Sequence, residues 1–153
     1  MAIMSDGKII NPPNPSAAPI ITSQPNQPLD MLRTMFDMQK SLNVRVGVIT
    51  DEICKDREKQ TEWILKFTLV ARQELAELVD CVPYKWWAKY QKFDDQNIRV
   101  ELIDILHFWI SLCQVAGLSA DDVFKAYLAK NAVNFARQDS GYATKDENDS
   151  RHI

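Results

Sequence analysis

Val100-Glu101-Leu102-Ile103-Asp104-Ile105-Leu106-His107-Phe108-Trp109-Ile110-Ser111-Leu112-Cys113 is the stretch whose reading decides the fold. Its polar residues Glu101, Asp104, His107 and Ser111 fall at helical spacing on one face, and Leu, Ile, Phe and Trp cover the rest. A helix apolar almost all round is expected in a core. At roughly 14 residues it is shorter than the ~20 needed to cross a bilayer. Ionised carboxylates held out of water are costly unless something neutralises them. A second acidic pair of the same form, Glu74 and Glu77, lies upstream.

Around these pairs the chain reads as one all-α domain. Its 153 residues suffice for a single core. The net charge of -3, without a Lys/Arg block, argues against a nucleic-acid partner. Three cysteines are an odd number without a CxxC, and two of them lie in apolar helical surroundings, so buried thiols in a reducing compartment are expected. No basic region followed by an apolar run opens the chain, so the expected location is cytoplasmic, with no membrane partner. With four glycines and no Gly-rich loop, any phosphate must be held by side chains.

Residues 1–28 hold six of the seven prolines and read as a flexible or polyproline-like tail, unable to sustain a helix or ladder. A domain over 29–142 follows, and 143–153 reads as a loose end. The first helix is expected from Pro28 to about Asn43, with the amides Gln39 and Asn43 on its inner stripe or at its solvated rim. Residues 44–56 alternate weakly around Gly47 and suggest an extended connector. The second helix, beginning between Thr50 and Glu58, runs to about Val82 with Trp63, Phe67, Val70, Glu74, Glu77 and Cys81 on one stripe. Tyr84-Lys85-Trp86-Trp87 reads as a lid on the core, the alternative being a ligand platform. Asp94 or Asp95 caps the third helix, which ends before Gly117. Ser119 and Asp122 form a capping box opening the fourth. The whole suggests an antiparallel bundle of about four main helices.

Glu74-x-x-Glu77 and Glu101-x-x-Asp104 lie on neighbouring helices and can converge. At an effective dielectric near 20, two like charges ~5 Å apart repel by about 3 kcal/mol, which raised pKa values or bound cations relieve. Hard oxygen donors without Cys or paired His favour Mg2+, with Mn2+ as substitute, over Zn2+. The plainer alternative is two solvated acidic pairs. A di-iron bundle needs Glu-x-x-His on two helices, and only Asp104-x-x-His107 is present. His107 is either a satisfied core histidine or a member of the site. Lys130, Asn134 and Arg137 share one face of the last helix and suit a polyphosphate; otherwise they are a solvated cationic end favourable to the helix dipole.

Five segments in order, Met38-Gln39-Lys40-Ser41-Leu42-Asn43, Gln73-Glu74-Leu75-Ala76-Glu77-Leu78-Val79-Asp80, Tyr84-Lys85-Trp86-Trp87, Asn97 to Phe108, and Lys130 to Tyr142, together resemble the dimeric dUTPases. These belong to the all-α nucleoside triphosphate pyrophosphatases, alongside the MazG type. The resemblance implies a homodimer that hydrolyses dUTP to dUMP and pyrophosphate with Mg2+. It implies Glu74, Glu77, Glu101 and Asp104 as metal ligands, one of the first two orienting or deprotonating the attacking water. It places Gln39, Asn43 and His107 at the nucleoside and Lys130, Asn134 and Arg137 on phosphates, with Asn131 and Tyr142 nearby. The connection from Val115 to Ser119 is very short where family members often carry insertions. Base preference therefore stays open: dCTP or a broader MazG-like range is the alternative within enzymes, and a non-catalytic helical dimerisation module the alternative outside them.

Overall fold

The computed structural model describes residues 30–141 and the backbone of 4–5 and 8–9. Most of the proposed N-terminal tail, and 142–153, lie outside the described residues. Within that tail β1 (Met4–Ser5) and β2 (Lys8–Ile9) pair antiparallel, with Met4 opposite Ile9, so the expectation of no ladder fails there. Its prolines begin only at residue 12 and leave these backbone donors available.

Five helices follow: α1 (Met31–Arg45), α2 (Thr50–Ile53), α3 (Arg57–Asp80), α4 (Asp95–Val115) and α5 (Ala120–Asp139). Side chains close each main helix at its start. Asp30 accepts from the Arg33 N–H, Asp56 from Glu58 and Lys59, and Asp94 from Asn97. Ser119 and Asp122 make the reciprocal capping box. Asp30 is the N-cap of α1, its side chain taking up one of the orphan N–H groups of the first turn; Pro28 lies outside the described residues.

Two helices stop by the same device. Gly47 and Gly117 both sit at φ +84°, the left-handed region that favours glycine. Val48 N–H bonds to Asn43 O and Gly47 N–H to Val44 O; Leu118 N–H bonds to Cys113 O and Gly117 N–H to Gln114 O. Both are Schellman closures. The first turns the chain into α2, so residues 44–56 are a helix end and a short helix, not an extended connector. The apparent alternation comes from Val48 packing inward with Ile53 while Val44 and Val46 stay exposed.

Two apolar clusters meet on α4. Phe36, Ile110, Cys113 and Ala120 join α1, α4 and the start of α5. Val48, Ile53, Phe67 and Val115 join α2, α3 and α4. The other half of α4 is not core: Val100, Leu102, Ile103 and Trp109 are between 42% and 54% exposed, against expectation. Nor do Trp86 and Trp87 form a lid. They stack edge-to-face on each other, and Trp86 is 89% exposed. The fold is all-α with four long helices; α3 and α4 pack as the main pair, and α5 leaves α4 through a bend of 102°.

The Gly117 closure gives a stability prediction. An added Cβ would meet only Cys54 Cβ at 3.7 Å, an ordinary contact, so the cost of Gly117→Ala comes from its φ. We expect a loss of about 1–2 kcal/mol, read as a lower urea midpoint at unchanged m-value.

Candidate metal and nucleotide site

The site follows from the register of α3 against α4. Gln60 Nε2 donates to Val115 O at 2.9 Å, and Phe67 lies against Phe108. A Glu74 oxygen lies within 4.8 Å of one on Glu101, and Asn97 Nδ2 reaches Cys81 Sγ at 3.2 Å. As the α3 number rises the α4 number falls, so the helices run antiparallel and both acidic pairs come to one level. One ligand oxygen from each of Glu74, Glu77 and Glu101 lies within 4.8 Å of the others.

Their surroundings differ. Glu101 is buried, Glu74 half-buried and Glu77 exposed. Asn97 Nδ2 donates to Glu101 Oε1 at 2.9 Å, and Gln73 Nε2 to Glu77 Oε1 at 2.9 Å. Burial pushes the Glu74 carboxyl above the usual carboxylate range, followed by its hydrogen bond with Glu101 and the charges of Glu77, Asp104 and Glu101. Asp104, half-buried, therefore acts on the same centre. All the donors are hard carboxylate oxygens and none is sulfur or imidazole nitrogen. A divalent cation fits this donor chemistry and would relieve the repulsion.

One level further along α4, Gln39 and Asn43 are 5% and 3% exposed, so they do not stand at a solvated rim. Gln39 Nε2 donates to Asn43 Oδ1 and Ser111 Oγ; Asn43 Nδ2 donates to Ser111 Oγ and Gln114 Oε1. His107, exposed, meets Gln39 Oε1 through Nδ1 at 2.5 Å. The amides thus sit inside the α1–α4 contact, bonded to each other, and His107 is the exposed end of the group.

Lys130, Asn131 and Arg137 are half-buried and Asn134 exposed, all on α5. Tyr142 lies outside the described residues. A cleft of about 350 Å³ between α1, α2 and the α4–α5 turn is lined by Arg33, Lys40, Cys54 and Gln114 among others, and by none of the four acids.

Sequence reading missed Asn97 and Gln114 as parts of the site. Asn97 stands one turn before Glu101, a spacing that could have marked it. Gln114, two turns beyond His107 on the same face, continues the polar stripe already noted.

A family model described as dUTPase matches residues 31–114 and 109–142. The dCTP pyrophosphatase of Enterobacteria phage T4 is 29% identical over 143 aligned residues, covering 74% of this chain and 83% of that protein. The dCTP pyrophosphatase of Enterobacteria phage LZ5 is 29% identical over 144, covering 74% and 84%. A DNA replication protein of phage T4 is 26% identical over 132, covering 67% of this chain and 33% of that protein. No solved structure matches. With its two acidic pairs at one level and the family match running from Met31 past the end of α5, the chain belongs to the dUTPase family of all-α nucleoside triphosphate pyrophosphatases.

Proposed function

We propose that this enzyme hydrolyses a deoxypyrimidine triphosphate to the monophosphate and pyrophosphate with Mg2+. The observation that carries the reading is the convergence of Glu74, Glu77 and Glu101 with Asp104 beside them. The motifs favour dUTP; the phage relatives, named dCTP pyrophosphatases, favour dCTP as a second reading.

The water oxygen forms a bond to the α-phosphorus, the bond from that phosphorus to the α–β bridging oxygen breaks, and pyrophosphate leaves. A helix α3 carboxylate, Glu74 or Glu77, takes the water proton. Glu101 and Asp104, with the α3 pair, would hold the cation, whose chemistry is to neutralise phosphate charge and polarise oxygen. Mn2+ has the same hard-ligand preference and would substitute. Lys130, Asn134 and Arg137 hold phosphate oxygens, with Asn131 and Tyr142 beside them, while Gln39, Asn43 and His107 belong to the nucleoside end.

We also infer a homodimer. Leu65 and Leu69 on α3, Leu102 and Ile103 on α4, and Tyr127 and Phe135 on α5 are all more than half exposed. Large apolar side chains left this exposed on three helices are what an association surface would cover. A sedimentation experiment should give twice the 17.6 kDa chain mass; a monomer at micromolar concentration contradicts this.

A panel of the common nucleoside triphosphates with Mg2+ should give pyrophosphate from dUTP or dCTP and far less from purine nucleotides. Glu101→Gln should lower turnover at least a hundredfold on every accepted nucleotide alike. No release from any nucleotide would overturn the substrate assignment.

The raised Glu74 carboxyl fixes a pH dependence. Folding retains a proton that the unfolded chain releases, so metal-free stability is greatest below the ordinary carboxylate pKa. It falls as pH rises from there through the folded value. Melting scans should show this fall without metal and its absence in Glu74→Gln. Mg2+ at a hundredfold excess over Kd should raise stability by about 2.7 kcal/mol near neutral pH.

A further inference from the structure

The polar group between α1 and α4 has a direction that can be read from one end. Gln114 lies against the backbone carbonyl of Phe36 at 2.7 Å. A carbonyl only accepts, so the Gln114 atom there is Nε2, and Oε1 faces Asn43. Oε1 accepts, which makes its neighbour at 3.1 Å the Asn43 Nδ2 and turns Asn43 Oδ1 toward Gln39. The Gln39 atom meeting that oxygen at 3.1 Å must be Nε2, leaving Gln39 Oε1 to face His107. Two acceptors cannot share a contact of 2.5 Å without a proton, so His107 Nδ1 carries one.

Each amide is fixed against flipping by the one before it, back to a backbone atom that cannot flip. Ser111, 1% exposed, agrees with the direction: Oγ accepts from both Gln39 Nε2 and Asn43 Nδ2, and its own proton has His107 O at 3.0 Å and Asn43 Oδ1 at 3.3 Å as acceptors. Among the described residues nothing bonds the other ring nitrogen of His107, which belongs to an exposed residue one turn from Asp104.

We propose that Phe36 O, Gln114, Asn43 and Gln39 form a relay that keeps a proton on His107 Nδ1, so that Nε2 is the ring atom left to accept a hydrogen bond from a donor on the bound nucleoside. Gln114, Asn43 and Gln39 are then positioning residues, and His107 is the group that touches substrate. This rests on the nucleotide reading above, but its first half is a property of the protein alone. A histidine free to choose favours the Nε2–H form and would offer a donor; the relay inverts that choice. The donor on the nucleoside is either a base N–H or the sugar 3′-hydroxyl.

The test begins with the full-length protein and no nucleotide. Nitrogen-15 spectra of the two histidines, with His152→Gln to assign them, should show His107 as the Nδ1–H tautomer where its ring is neutral. An Nε2–H ring overturns the relay and leaves the pyrophosphatase reading untouched. Gln114→Met, which does not touch the imidazole, should move the ring toward Nε2–H; an unchanged tautomer in this variant also overturns the relay. In turnover, His107→Phe should lower kcat/KM about tenfold, as expected for a lost hydrogen bond. With analogues methylated at the base N–H, or lacking the 3′-hydroxyl, the analogue missing the donor should be turned over equally by wild type and variant, which names the donor. Unchanged kcat/KM for His107→Phe, or the same tenfold loss on both analogues, overturns the contact with substrate.

Discussion

Everything in this molecule depends on the antiparallel register of α3 and α4. Three contacts along nearly the full length of the pair hold it: Gln60 on the Val115 carbonyl, Phe67 against Phe108, and Asn97 on Cys81. Each is of a different kind, so a slip by one turn would cost a buried amide, an aromatic contact and a loop tie together. At the register they allow, Glu74 meets Glu101. The repulsion built into that meeting is offset by apolar packing at Val115, where two helix ends and α2 come together. The fold holds in place a cluster it would not form for stability's sake, as binding sites commonly do.

The division of labour along α4 follows. Its first half carries acids on one side and exposed apolar residues on the other; its last turns, from Ile110 to Val115, carry the core. Between them lies the amide group with His107, at the boundary of charged and apolar surroundings. Hydrogen bonds there are strengthened by burial and have one consistent direction. The metal-binding and nucleoside-binding halves of the proposed site are thus successive turns of one helix, with α3 supplying acids to the first and α1 amides to the second.

Much of this was legible in the chain. The caps at Asp94 and Ser119, the Gly117 stop and the i,i+3 acidic pairs are local signals, and local signals fix helices and faces. What failed was long-range. The Val44-Val46-Val48 alternation looked like a strand although Gly47 carries the same local stop as Gly117; what the alternation could not show is that Val48 packs with Ile53, Phe67 and Val115. Trp86, Leu102 and Ile103 looked like core because an apolar residue does not say which molecule covers it. Gln114 continues the polar stripe of α4, but its partners, the Phe36 carbonyl and Asn43, lie on another helix, so the stripe alone did not mark it as part of the site. The cations of α5 share a face, but the 102° bend between α4 and α5 is not encoded in that spacing.

The central claim is that Glu74, Glu77, Glu101 and Asp104 form one divalent-cation site. Mn2+ electron paramagnetic resonance on the full-length metal-free protein tests it most directly, since bound ion loses the sharp six-line signal of the free ion. The account predicts saturable binding in the wild type, competed by Mg2+, and loss of at least tenfold in affinity in both Glu74→Gln and Asp104→Asn, one from each helix. A free-ion signal that persists with wild type at millimolar Mn2+, or binding that neither substitution weakens, would contradict it.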